Sequence, residues 1–253
     1  MGHYYNPNIP IRSLDWLIDM GNFRSYPGSG NIIYNLMKKD INNLTNVATP
    51  TFSSAGATSY LSFNGSTQYS ANNSITNGAP VQGPITINVI FNPSASTTTY
   101  NAIALYSGAS NSVQIGYRSD ISSGAIWKNG GTTLLTFPTV GIGTVCHIVY
   151  TCDGANNSRV YVNGQLWQSG TVATNTGNST NYTIASFNSG AGEFLNGRIY
   201  YASIHSVVLN SDEVAQTYHC IKRRWGYSGV GTFVNGVNPT GDPSGTGGVG
   251  GPE

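Results

Sequence analysis

Charge is what this chain has least of. Asp, Glu, Lys and Arg make up 8% of its 253 residues, against roughly a quarter in ordinary soluble domains. None of the four occurs between Asp40 and Arg118, and the formal net charge is +1. Solubility by charge repulsion is therefore excluded, and the surface has to be polar through Ser, Thr, Asn, Gln and Gly. Such a surface offers little electrostatic resistance to packing against like or unlike neighbours. The only basic run, Lys222 to Arg224, sits where a helix C-terminus accounts for it, so no nucleic-acid partner is expected. No apolar stretch reaches spanning length and no apolar core follows a basic start. Neither a membrane helix nor a signal peptide is indicated, and export by another route stays open. Cys146, Cys152 and Cys220 are odd in number. On one strand the first two would stand about 20 Å apart and could not pair, which points to free thiols in a reducing compartment.

Catalytic groupings are also scarce. The ten acids give only two close pairs, Asp15 with Asp19 and Asp212 with Glu213. Retaining glycoside hydrolysis needs two carboxyls roughly 5 Å apart. The first pair shares a strand face at too long a spacing, and the second is the acidic first turn of a helix. No G-x-S-x-G elbow exists, and His3, His147, His205 and His219 have no evident partners. His147 reads as a satisfied core or interface histidine. Cys146, His147 and Cys152 lack zinc-ligand spacing, so no metal and no cofactor is expected. Asp19, Asp153 and nearby Asn side chains could contribute to a calcium site, although Asp153-Gly154 also reads as a turn.

What is present in quantity is β-strand text. Ile85 to Asn92 alternates, with Ile85, Ile87, Val89 and Phe91 inward, as in a half-buried strand. Asn101 to Tyr106, Val113 to Arg118, Ala125 to Lys128 and Thr132 to Phe137 follow at short spacing with Gly, Ser and Asn turns, the rhythm of a sandwich. Asn163-Gly164 between Tyr161-Val162 and Leu166-Trp167 is the strongest hairpin signal, because a type I′ turn needs positive φ at both centres. Phe194 to Trp225 predicts a turn at Asn196-Gly197, a strand over Ile199 to Ile204 and a short helix. Ile199 and Ile204 share a face only if a bulge intervenes. The helix opens with a capping box of Asn210 and Glu213 and buries Val214, Tyr218, Ile221 and Trp225. Gly226 can take the left-handed stop.

Several of these segments carry a family likeness. IDMGNFRSYPGSG (Ile18 to Gly30), FSSAGATSYLSFNGSTQY (Phe52 to Tyr69), the histidine-bearing CHIVYTCDG, the SRVYVNGQLWQSG hairpin and Phe194 to Trp225 resemble the concanavalin A-like (laminin G-like) jelly-roll domains of virus-encoded structural proteins, especially those of tailed phages. The resemblance covers roughly Leu14 to Trp225. It departs from the family at Asn64, Ser66, Thr67 and Gln68, where carboxylates are common, and at Val145, where Trp is common. The first departure weakens any inherited calcium or sugar site.

The resemblance implies an all-β, two-sheet antiparallel sandwich with one short C-terminal helix. The expected organisation is an N-terminal arm over residues 1–13, a jelly roll over 14–225 and a Gly-rich C-terminal arm over 226–253. The last segment has a composition that cannot bury a core. The expected function is a non-enzymatic virion structural protein of a phage, a capsid decoration or tail/fibre component assembled in the host cytoplasm, with arms contacting other virion proteins and copies of itself. The alternative is a carbohydrate-binding adhesion module for host glycans. Aromatic faces stack on sugars and amides read hydroxyls. Tyr117, Arg118 and Trp127, on adjacent predicted strands, are the candidate carbohydrate residues, with core or interface packing the competing reading for the two aromatics.

Overall fold

The computed structural model describes residues 10–226 except 39, 82, 95–97, 108–111, 129–131, 156 and 172–176; of residue 57 and residues 223–226 it describes the backbone alone. Most of both predicted arms, at residues 1–9 and 227–253, lies outside the described residues. The strands in chain order are β1 (Leu14–Asp19), β2 (Ile32–Ile33), β3 (Leu44–Val47), β4 (Thr51–Ser53), β5 (Tyr60–Asn64), β6 (Tyr69–Asn72), β7 (Ile85–Pro93) and β8 (Tyr100–Tyr106). They continue with β9 (Ser112–Arg118), β10 (Ser123–Lys128), β11 (Thr132–Phe137), β12 (Cys146–Cys152), β13 (Asn157–Val162), β14 (Gln165–Thr171), β15 (Asn181–Ile184) and β16 (Asn196–His205). One helix, α1 (Ser211–Gly226), follows, and no described helix is long and apolar enough to cross a membrane.

The strands form two antiparallel sheets of eight. Sheet A runs β14-β13-β12-β7-β16-β5-β4, with β1 pairing the far half of β16. Sheet B runs β11-β10-β9-β8-β15-β6-β3-β2. The apolar residues of each alternating strand meet between the sheets, including Ile87, Val89 and Phe91 of β7, Ile148 and Tyr150 of β12, and Ile115 and Ile126 of sheet B. At one side the sheets close on each other, where Gln168 Oε1 accepts from the Thr136 amide at 2.7 Å and its hydroxyl at 3.1 Å.

The Asn163-Gly164 turn has φ of 51° and 82°, as a type I′ hairpin requires. β16 carries the anticipated bulge: its register against β7 shifts between Ile199 and Tyr201, and Ile199 and Ile204 both reach the core. The predicted turn at Asn196-Gly197 is instead the first part of β16. Gly197 fits there because a Cβ would lie 2.4 Å from the Asn92 carbonyl oxygen.

β7 is buried along its whole length rather than half-buried. The cause is α1, which lies over the outer face of sheet A. Val214 packs with Val149, Tyr161 and Leu209, and Ile221 packs with Ile90 and Tyr201. The capping box forms as expected. Asn210 Oδ1 accepts from the Glu213 amide at 2.9 Å, and Glu213 Oε2 accepts from the Asn210 amide at 2.8 Å. Arg12, part of the predicted arm, also donates to both Glu213 oxygens and to the Val208 carbonyl, so it fastens the helix start of its own chain. Asn210→Ala is expected to cost about 1 kcal/mol, read as a lower urea midpoint at unchanged slope.

The face under α1 is partly polar. Asn88 Nδ2 donates to Ser203 Oγ at 3.1 Å, and Thr86 Oγ1 donates to the Val207 carbonyl while accepting the Leu209 amide. His147 is 0% exposed and stacks on Tyr218 at 6.2 Å and 4°. It is not the satisfied histidine expected: both ring nitrogens lack a hydrogen-bond partner among the described residues, as does Asn88 Oδ1. Cys146, Cys152 and Cys220 are free and buried, the first two facing the core from the same side of β12.

Candidate functional site

The densest polar arrangement tied to the predicted residues is the outer face of sheet B. On β9, Val113, Ile115 and Tyr117 go into the core, which turns Gln114, Gly116 and Arg118 outward. On β10, Ile126 is inward and Trp127 outward, directly opposite Gln114. A bulge between Asn101 and Ile103 of β8 sends Ala102 and Ile103 both to the core and leaves Asn101 outward beside Gly116.

The β15–β16 connection folds back over this face. Asn188, Ser189 and Glu193 take positive φ (37°, 56° and 54°), with Gly190 and Gly192 between them, so the loop turns sharply. One end is pinned where the Ser189 amide donates to Thr183 Oγ1 at 3.2 Å and Asn181 Nδ2 donates to Ser189 Oγ at 2.7 Å. The other end delivers Glu193. Its carbonyl accepts the Asn101 amide at 3.0 Å, and its Oε2 accepts from Asn101 Nδ2 at 2.5 Å. Asn101 Nδ2 also reaches Gln114 Oε1 at 3.1 Å, and Gln114 Nε2 donates to Ser112 Oγ at 3.3 Å. Asn101 Oδ1 is buried without a partner among the described residues.

Two carboxylates bracket Arg118. Asp120, in the β9–β10 turn, accepts from Arg118 Nε at 2.9 Å and from Nη2, and this pairing holds its carboxyl below the usual range. Arg118 Nη1 donates to Thr133 Oγ1 at 3.0 Å. Burial pushes the Glu193 carboxyl upward, opposed by the Asn101 hydrogen bond and the Arg118 charge. Arg118 occupies both Asp120 oxygens, so that group is not free to attack a sugar carbon. Side-chain amides, a guanidinium and carboxylates together supply donors and acceptors suited to hydroxyls.

Of the three predicted sugar residues, Arg118 and Trp127 share this outer face. The Arg118 side chain is 13% exposed and Trp127 is 2% exposed. Tyr117 points the other way, into the core, stacked on Tyr100 at 5.8 Å and 23°. Asn101, Gln114 and Glu193 escaped sequence reading. The outward alternation of β9 could have flagged Gln114, whereas Glu193 comes from a loop 92 positions from Asn101. Among the described residues no group of three or more His, Cys, Asp or Glu is placed to hold a metal. Asp19 accepts from the Gly21 amide and Asp153 from the Ala155 and Asn157 amides, each serving its own turn.

The sequence profile of the concanavalin A-like lectin/glucanases superfamily (Laminin_G_3) matches residues 56–215. Comparison with curated proteins finds no match. The fold is similar to Trypanosoma rangeli sialidase in complex with sialic acid, with a TM-score of 0.62 at 14% identity over 85% of this chain. The chain spans about a third of that enzyme, 34% of its length. It is similar to domain 4 of AbnA, a GH43 extracellular arabinanase of Geobacillus stearothermophilus in complex with arabinotriose, at TM-score 0.62 and 14% identity, covering 81% of this chain and 98% of that domain. The botulinum neurotoxin serotype D binding domain is similar at TM-score 0.61 and 12% identity, covering 82% of this chain and 52% of that one. At these identities the likeness is one of fold.

Proposed function

The chain belongs to the concanavalin A-like lectin/glucanases superfamily, and from that premise we propose that it is a non-enzymatic structural protein of a phage-type virion whose sandwich contacts carbohydrate. The observation that carries the sugar contact is the convergence of Arg118, Asn101, Gln114 and Glu193 on the outer face of sheet B. The Arg118 guanidinium and the half-buried Glu193 would meet the sugar's hydroxyls, and the buried amides of Asn101 and Gln114 hold Glu193 in place beneath them. Trp127 lies beside them on the same face, opposite Gln114. The absence of catalysis is part of the same reading. Asp120 is occupied by Arg118 and Glu193 by Asn101, and no sugar release from a polysaccharide panel is expected.

Placement in a virion, as a capsid decoration or a tail/fibre component assembled in a host cytoplasm, is supported by the charge-free stretch between Asp40 and Arg118 and by free buried thiols. The Gly-rich segment after Gly226 would contact neighbouring subunits and further copies of the chain. An adhesion module for host glycans, acting outside any particle, is the second reading, and the same sheet face would serve it.

Two measurements on one set of proteins separate these readings. On a glycan array, Arg118→Ala is expected to weaken the strongest wild-type signals at least tenfold, and an unaltered profile would remove the sheet B face as the site. Deletion of residues 227–253 should abolish particle incorporation while leaving glycan binding intact. Unchanged incorporation would sink the assembly role and leave the adhesion reading.

A further inference from the structure

A second polar surface lies on the opposite side of the molecule, where α1 stops covering sheet A. Cys146, Ile148, Tyr150 and Cys152 of β12 face the core, so His147, Val149 and Thr151 face out. The helix covers His147 and the Val149–Tyr161 row. Beyond that row the outer face is a groove of about 370 Å³, with Val208 at its margin, within the range of small-ligand sites.

Two cross-strand rows form the floor. Thr151 is paired with Arg159 and Arg159 with Ser169; Asn157 is paired with Thr171 and sits beside Asp153 in the β12–β13 turn. Neighbours within a row are about 4.8 Å apart and the rows about 6.8 Å apart, by strand spacing and rise. Thr151 is 2% exposed and lines the groove at the inner end of its row. Arg159 is exposed and forms no ion pair among the described residues. Asp153 does not compensate it: Asp153 Oδ1 accepts the Ala155 and Asn157 amides, and its Oδ2 accepts Asn157 Nδ2 at 2.6 Å. Those bonds hold its carboxyl below the usual range and hold it in the turn.

We propose that this groove is a second ligand site, for an anionic saccharide of one or two residues. Arg159 would take the carboxylate or sulfate, because a guanidinium offers a planar fork to either. The hydroxyls of Thr151, Ser169 and Thr171 each donate and accept, as sugar hydroxyls do, and they stand at spacings that a pyranose ring bridges. One uncompensated cation matches one acidic group. No residue is shared with the sheet B face, so the two sites stand or fall separately.

The test is titration of the full-length protein by isothermal calorimetry with sodium glucuronate, glucose 6-sulfate, glucose and inorganic sulfate. Glucuronate or glucose 6-sulfate should saturate while glucose does not, and the tighter of the two tells carboxylate from sulfate. Arg159→Gln should weaken that binding at least tenfold, Ser169→Ala several-fold, and Arg24→Gln, an exposed cation outside both surfaces, not at all. Both groove residues are exposed, so neither change threatens folding. Binding of glucose as tight as that of the acidic sugars, inorganic sulfate binding as tightly as the sugars, unchanged affinity in Arg159→Gln, or no saturation with any probe would each overturn the proposal.

Discussion

Acidification from pH 7 to pH 4 is expected to remove roughly 3 kcal/mol of stability through His147 alone. Complete burial between sheet A and α1, with neither ring nitrogen hydrogen-bonded to a described residue, lowers its pKa to about 3, from about 6.5 in the unfolded chain. A histidine with a depressed folded pKa binds its proton more readily when unfolded. Its contribution is therefore fully present above pH ~6.5 and falls by about 1.4 kcal/mol per pH unit down to the folded value. No described charged group touches the ring to compensate. Its stacking partner is Tyr218, over whose ring Lys222 Nζ lies at 5.6 Å. His205, also depressed by burial, adds to the loss in the same direction. Glu213, held low by Arg12, adds to it only below the ordinary glutamate range, whereas Glu193, raised by burial, opposes the loss above that range, between its raised and its ordinary value. His147→Phe keeps the ring stack and removes the titration. Urea midpoints measured between pH 7 and 4 should fall steeply in the wild type and much less in this variant; parallel curves would mean the imidazole does not carry the effect.

Gly116→Ala is expected to destabilise the protein by about 3 kcal/mol, the upper end of overpacking costs, and to lower Tm by about 10 °C. The difficulty is space. A Cβ on Gly116 would lie 1.9 Å from the Tyr100 carbonyl oxygen and 3.0 Å from the Asn101 Cα. Both are backbone on the neighbouring strand, brought close by the bulge between Asn101 and Ile103. No side-chain rotation relieves such contacts, so β8 and β9 have to part. Parting them breaks the Tyr100–Tyr117 stack and carries Asn101 away from Glu193 and Gln114. Glycan binding on sheet B should therefore fall together with stability. Gly30→Asn is the control: φ is +87°, which Asn tolerates better than most residues, and nothing lies within 4 Å of the added carbon. A thermal melt that moves equally for both variants would contradict this account.

The strands, the Asn163-Gly164 hairpin, the bulge in β16 and the Asn210–Glu213 box were legible because each rests on local chemistry: alternation, turn geometry, or a cap three residues from its partner. What could not be read depends on what lies across the strand. Nothing near Ile90 says that a helix 120 residues later will cover it and turn a half-buried strand into a buried one. Nothing near His147 says that its ring will be enclosed with no hydrogen-bond partner among the described residues. The aromatics divide the same way. Tyr117 and Trp127 look alike as text, yet alternation on paired strands sends one into the core and the other outward. Arg118 was within reach of sequence reasoning, while Glu193 was not, because its loop meets Asn101 only after the chain has built three more strands of sheet A and four of sheet B.

The pairing of Leu14 with His205 places the start of β1 and the end of β16 at the same end of their ladder. Tension applied between residue 10 and the start of α1 would therefore load the β1–β16 hydrogen bonds one after another, as a zipper, rather than all together in shear. The first contacts to take that force are the Arg12–Glu213 pair and the Ser206 amide on the Ser13 carbonyl. Held by its ends, the molecule would yield there at low force while the β7–β16 centre of the sandwich stayed closed.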